Sequence, residues 1–200
     1  MKLSVYTVDR LRPWLRIVWA LPALRWLYLG WTDGLGLNAP EFLIHSSGTW
    51  TMVALLLTLS ISPLRVILRQ PALLRLRRDL GLTTFIYASL HAFGWAVFEH
   101  GLSLSWMLED VVKRPFVTFG ALTWLLMLPL ALTSNRWAMR RLGSRWQALH
   151  RLVYVLAITA VIHIWLHKSG KLDFTQVQVY GTLVAVLLGW RVVRYAQRKT

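Results

Sequence analysis

Trp146-Gln147-Ala148-Leu149-His150-Arg151-Leu152-Val153-Tyr154-Val155-Leu156-Ala157-Ile158-Thr159-Ala160-Val161-Ile162-His163-Ile164-Trp165-Leu166-His167 is apolar over the length of a membrane-crossing helix, which takes about 20 such residues. It nevertheless carries a histidine near each end. An imidazole inside a bilayer is costly and as a rule faces the protein interior, a partner or a cofactor. At about 1.5 Å per residue, His150 and His163 stand roughly 20 Å apart along the helix axis, one near each membrane face.

Several other stretches share this character. With 56% hydrophobic residues, the chain reads as an all-α polytopic membrane protein. No cysteine is present, which excludes disulfides, thiolate ligation of iron and iron–sulfur clusters. Any metal chemistry then rests on histidine, methionine, carboxylate or tyrosine. The formal charge of +15 at pH 7 does not form one basic surface that would engage nucleic acid. The charges cluster between hydrophobic runs, which is a topology signal.

Lys2, Arg10, Arg12 and Arg16 lead into a first apolar run over about residues 13–31. Only Trp31-Thr32-Asp33-Gly34-Leu35-Gly36 follows it, with no small-x-small cleavage site, so it reads as a retained span. Arg25, near its far end, suits snorkelling beside Trp26 and Tyr28, or pairing with a buried anion such as a haem propionate. A second run covers about 42–64, a third about 81–98, a fourth about 116–133 after Pro115, and a sixth about 177–193, with the opening stretch as the fifth. Proline at Pro115 suits a first helical turn, where no amide hydrogen is needed.

Most of the basic residues fall at the N-terminus, in the 65–80 and 134–147 loops, and at the C-terminus, with Arg191, Arg194, Arg198 and Lys199. The three remaining loops hold only Lys113, Arg114, Lys168 and Lys171. Both termini are therefore expected to be cytoplasmic, in a bundle of six transmembrane helices forming one domain over residues 1–200. The tryptophans near span ends read as interfacial anchors. No internal repeat and no dinucleotide-binding glycine motif stands out.

With that orientation the third and fifth helices both rise outward, and His91 and His163 fall at similar depth, suited to bind one iron from opposite sides. Two neutral imidazoles on different helices fit b-type haem, which needs axial nitrogens and an apolar slot. Tyr87, Ala88, Gly94 and Trp95 share the His91 face, and the two small residues leave room for a flat macrocycle. Thr159, Ala160 and His167 flank His163. The bland reading for each histidine is an interhelical hydrogen bond. His150 lies near the inner face without an evident partner, and on an ideal helix it points about 140° away from His163 unless the helix is kinked. His45 competes for the outer haem but also suits capping or an interfacial place. His100 falls in a loop and His167 at a solvated exit. Paired intramembrane carboxylates, a clustered zinc ligand set and a Ser/His/Asp arrangement are not evident.

Arg77-Arg78-Asp79-Leu80-Gly81-Leu82, Ala88-Ser89-Leu90-His91, Lys113-Arg114-Pro115-Phe116-Val117-Thr118-Phe119-Gly120, Leu132-Thr133-Ser134-Asn135 and Leu142-Gly143-Ser144-Arg145-Trp146-Gln147-Ala148-Leu149-His150-Arg151-Leu152-Val153-Tyr154 together resemble the MsrQ (YedZ) family over nearly the whole chain. That family belongs to the ferric-reductase-like transmembrane group. The resemblance implies a multi-pass protein of the bacterial inner membrane that holds haem b, one or two per chain, and FMN. It implies electron transfer from the quinone pool or a cytoplasmic flavin reductase to MsrP, a periplasmic molybdopterin methionine sulfoxide reductase that repairs oxidised envelope proteins. The chain would be an electron-transfer subunit, with the sulfoxide chemistry on its partner. The family's haem-ligand histidines match His91, His150 and His163. The broader group uses two histidines on each of two helices, whereas the third helix here has one. The alternatives are a stand-alone transmembrane ferric or quinone reductase and a haem-free scaffold or transporter.

Overall fold

The computed structural model describes residues 4–170 and 173–197. Lys2, Lys171, Arg198 and Lys199 lie outside the described residues. Among the described residues the regular structure is helical, without strands, and the chain divides into two compact units, Met1–Leu102 and Ser103–Thr200.

The first unit begins with helix α1, Val5–Trp31, opened by Ser4, whose side chain accepts the Thr7 N–H. Helix α2, Ala39–Ile67, is capped by Asn38, whose side chain accepts the Glu41 N–H, and carries Pro40 in its first turn. A 3₁₀ turn, Pro71–Arg75, then feeds helix α3, Leu76–Phe98. α2 packs along α3, burying Ala54, Leu55 and Leu59 almost completely. Thr58 and Thr84 meet across this seam at 3.4 Å, and each hydroxyl also bonds a carbonyl one turn back in its own helix. Both polar groups are thereby satisfied in an apolar interior, where an unbonded hydroxyl is costly.

α1 is fastened to this hairpin by polar contacts. Arg12 Nε donates to Asp79 Oδ2 at 2.5 Å, and Arg16 Nη2 to Oδ1 at 2.8 Å. Arg75 reaches Asp9 at 2.7 Å, the Tyr87 hydroxyl donates to the Trp19 carbonyl, and the Trp26 indole donates to Ser46. Trp19, Trp26 and Trp50 knit helices together, through edge contacts of Trp19 with Trp50 and of Trp26 with Tyr87 and a tilted contact of Trp50 with Tyr87. Arg12, Arg16 and Arg75, read as topology charges, are paired to the chain's own aspartates.

The second unit starts with a short amphipathic helix, α4, Leu104–Lys113, in a segment expected to be loop. Arg114 bonds Asp110 one turn back and turns the chain through an extended backbone into α5, Pro115–Leu132. Pro115 occupies the first turn as expected. The expected 134–147 loop is also largely helical: α6, Arg136–Leu142, is capped by Asn135, and α7 runs Ser144–His150. Gly143 between them has φ +52°, ψ −124°, backbone that a side-chain-bearing residue rarely adopts. Helix α8, Leu152–Ser169, packs along α5, and α9, Thr175–Ala196, lies against α8.

Among the described residues, five helical segments are long and apolar enough to cross a bilayer: Ala39–Ile67, Pro71–Phe98, Pro115–Leu132, Ser144–Ser169 and Thr175–Ala196. α1 has the length, at 27 residues, but is not among these five. The structure thus supports a multi-pass helical membrane protein with five such segments, one fewer than the expected six. Many apolar side chains of α1, among them Trp14, Leu21 and Leu27, point away from the hairpin and are exposed.

Candidate cofactor site

His91 lies on α3, half-buried, with its Nδ1 2.8 Å from the Ile44 carbonyl of α2. A carbonyl oxygen only accepts, so Nδ1 carries the proton and donates, which makes Nε2 the lone-pair nitrogen of the neutral ring. One turn beyond Ile44, Gly48 lies directly beneath the ring: a Cβ built there would come within 3.2 Å of both Nδ1 and Cε1.

The second unit repeats this arrangement on different helices. His163 of α8 places Nδ1 2.6 Å from the Phe116 carbonyl in the first turn of α5, again making Nε2 the lone-pair nitrogen. One turn on, a Cβ built at Gly120 would stand 2.9 Å from His163 Nδ1 and 3.0 Å from Cε1. In both units the histidine follows its carbonyl by 47 residues. A constant shift carries Ile44, Gly48 and His91 onto Phe116, Gly120 and His163. It also carries the buried Leu55, Thr84, Tyr87 and Ala88 onto the buried Met127, Leu156, Thr159 and Ala160. Thr51 maps onto Thr123, each bonding the carbonyl four residues back. The chain therefore contains an internal repeat of one helical hairpin, which the sequence reading did not find.

His150 is held differently. It ends α7, its Nδ1 lies 3.1 Å from the Trp146 carbonyl of its own helix, and its Nε2 lies 3.5 Å from the Ser134 hydroxyl. Its ring stacks on Trp146 at 3.9 Å, while the Trp146 indole donates to the Thr133 carbonyl. Immediately after it, Arg151 N bonds Ala148 O and Tyr154 N bonds Arg151 O, the tighter spacing of a 3₁₀ turn. α7 and α8 are thus separate helices, and the ideal-helix phase between His150 and His163 does not apply across the join.

The other histidines sort by surroundings. His45 is exposed, with Nε2 3.9 Å from Glu41 Oε1, while Asn38 provides the α2 cap. His100 sits beyond α3 edge-on to Trp95 at 4.8 Å. His167, expected at a solvated exit, is half-buried and packs edge-on against Phe116 at 5.2 Å. Arg25 is exposed, with its guanidinium 5.9 Å from the Phe42 ring centroid.

One sequence expectation about the His91 surroundings changes, and Tyr87 gains a second role. Gly94 does not leave a slot beside the ring: a Cβ there would meet Ile44 Cγ1 at 3.3 Å, so α2 fills that space. Tyr87 is 2% exposed and spends its hydroxyl on α1. The residues that shape the seats of the two rings are instead Gly48, beside His91, and Gly120, beside His163, to neither of which the sequence reading gave a role. The close glycine one turn after a carbonyl is visible only once helices are paired.

A histidine whose Nδ1 donates to a backbone carbonyl has a fixed tautomer and a more basic Nε2. That is the preparation an axial metal ligand requires, and the interhelical hydrogen bond is part of it.

The ferric reductase like transmembrane component family matches residues 47–161. The protein-methionine-sulfoxide reductase heme-binding subunit MsrQ of Bordetella pertussis is 50% identical over 197 residues, covering 98% of this chain and 96% of the relative. The subunit of the same name from Ralstonia nicotianae is 49% identical over 179 residues, 88% of this chain and 82% of the relative. That of Brucella anthropi is 41% identical over 174 residues, 87% and 78%. No solved structure matches the chain.

Proposed function

The chain belongs to the MsrQ family of heme-binding subunits within the ferric-reductase-like transmembrane group, and from that premise we propose that it is a b-haem electron conduit of the bacterial inner membrane. Electrons enter from the quinone pool or a cytoplasmic flavin reductase and leave to a periplasmic molybdopterin partner of the MsrP kind, which reduces methionine sulfoxide in oxidised envelope proteins. The whole chain acts as one haem-binding domain, with α1 as a sixth span and both termini cytoplasmic. His91 and His163 supply axial nitrogens to haem iron, and His150 serves a second haem or electron entry.

The observation that carries this reading is the pair of intramembrane imidazoles fixed through Nδ1, at 2.8 and 2.6 Å, by carbonyls of neighbouring helices. Haem, when bound, provides a one-electron carrier that changes geometry little on reduction. The chain's part is to hold each Nε2 as a ligand, keep the rings from turning, and surround them with apolar helix faces. No residue is assigned to FMN, which rests on family membership. The sulfoxide chemistry belongs to the partner.

The test is a reduced-minus-oxidised spectrum with haem quantified per chain, on the wild type and on His91→Ala, His150→Ala and His163→Ala. A b-type signal that collapses in the His91 and His163 variants is expected, and the residual stoichiometry in His150→Ala assigns that residue. No haem absorbance after expression with ample haem would overturn the conduit in favour of a scaffold or transporter. Activity that persists without a periplasmic partner would favour a stand-alone reductase. Because the chain has no cysteine, single cysteines at residues 5 and 173 can be labelled from either side. Inside labelling of the first and outside labelling of the second are expected.

A further inference from the structure

Glycine is the poorest helix former short of proline, so a glycine well inside an apolar helix needs a local reason. Several helical glycines here contact ordinary packing partners: Gly81 faces Thr58 Cγ2 at 3.9 Å and Gly181 faces Val161 Cγ1 at 3.6 Å, each from a built Cβ. Gly48 and Gly120 differ, because the atoms a Cβ would strike belong to a histidine ring that is itself hydrogen-bonded to the same helix one turn earlier.

A hydrogen bond at Nδ1 does not by itself stop an imidazole from pivoting about it. Backbone packed against its Nδ1–Cε1 edge removes the pivot. The carbonyl fixes one atom, the glycine supports the edge beside it, and together they set the direction of Nε2. We propose that Gly48 and Gly120 are positioning residues that aim His91 and His163 at haem iron, one in each hairpin. This rests on the reading of those histidines as ligands.

The two sites should respond in a graded way. At Gly120 a methyl would lie 2.9 Å from Nδ1, inside any ordinary contact, and the ring cannot yield without lengthening its bond to Phe116 O. At Gly48 the nearest approach is 3.2 Å, which a small tilt relieves.

The test compares wild type, Gly48→Ala, Gly120→Ala and the control Gly81→Ala in the full-length protein, by haem affinity, midpoint potential and the low-spin electron paramagnetic resonance signature of the oxidised haem. Gly120→Ala is expected to weaken haem binding about 10-fold or more, the scale of losing support to a metal ligand. Gly48→Ala should retain haem with altered resonance positions and potential, and Gly81→Ala should match wild type. Wild-type affinity, potential and resonance in both Gly48→Ala and Gly120→Ala would overturn the proposal.

A second measurement needs no haem. If the Gly120 methyl acts through the ring, Gly120→Ala lowers the thermal midpoint in the wild type but not in His163→Ala, where the obstructing ring is gone. Equal loss in both backgrounds would mean that Gly120 serves helix packing alone, and would also overturn the proposal. Wild-type protein that takes up no haem would defeat the conduit reading, while this cycle still decides whether the glycine positions the ring.

Discussion

Replacing Asp79 with asparagine should loosen α1 from the first hairpin. The Asp79 side chain is 12% exposed and accepts hydrogen bonds from Arg12 at 2.5 Å and from Arg16 at 2.8 and 3.2 Å. The amide removes the charge and one acceptor oxygen. Arg12 is 23% exposed, so its bond stands near the lower end of the range for hydrogen bonds to charged groups, about 1.5–2 kcal/mol. Arg16 is 62% exposed, and water screens that pair to below about 1 kcal/mol. The expected loss is about 2–3 kcal/mol, or roughly 5–10 °C in Tm for a chain of this size, read by thermal unfolding in detergent. Asp9→Asn is the comparison: its 2.7 Å pair with Arg75 is 37% and 48% exposed, worth less than about 1 kcal/mol. A Tm for Asp79→Asn no lower than that of Asp9→Asn would refute the assignment of Asp79 as the principal clamp on α1.

Gly143→Ala places a side chain at φ +52°, ψ −124°, and should cost about 1–3 kcal/mol. Gly170→Ala has ordinary φ and nothing within 4 Å, so it should be neutral or stabilising by up to about 1 kcal/mol; equal effects of the two on Tm would exclude backbone strain at Gly143. Thr123→Val breaks the buried 2.8 Å bond to the Thr159 hydroxyl and should cost about 0.5–1 kcal/mol, with no change in Tm when Thr159 is already valine. The Asp173 carboxyl is held below its ordinary range, chiefly by the Thr175 N–H. Its folded pKa is therefore lower than its unfolded one, and its support of the start of α9 is present above the unfolded value and lost as pH falls through the folded one. The Thr175 amide resonance should titrate with a midpoint below about 3.9, the value of an unperturbed aspartate.

The long apolar helices could be read from the residues because each such run has the roughly 17 to 25 apolar residues that a spanning helix needs; α2, α3, α5 and α9 begin and end within about five residues of the expected runs. The segments that went unread, α4 and α6, are short and rich in charge or turn residues, and what makes them helices is local capping and pairing: Asp110 with Arg114, and Asn135 with the Ala138 N–H. Arg12 and Arg16 looked like topology charges because their partner lies more than 60 residues along the chain. The candidate histidines stood out as polar residues in apolar runs. What holds them did not, since a backbone carbonyl has no residue type to announce it. The two hairpins share too few identical side chains for the repeat to show before their burial and bonds were matched.

The anchoring of both rings by main-chain oxygen has a consequence for how such a protein tolerates change. Any residue at positions 44 and 116 that keeps the helix would offer the same acceptor, so the hydrogen bond itself sets no requirement on those letters, and what constrains them is packing, of Ile44 on Gly94 and of the Phe116 ring beside His163 and His167. The glycine one turn on has no such latitude, because every other residue adds the carbon that meets the ring. A survey of natural variants would then register the hydrogen-bonded seat only through the glycine and the histidine. The third participant would leave no trace in the letters.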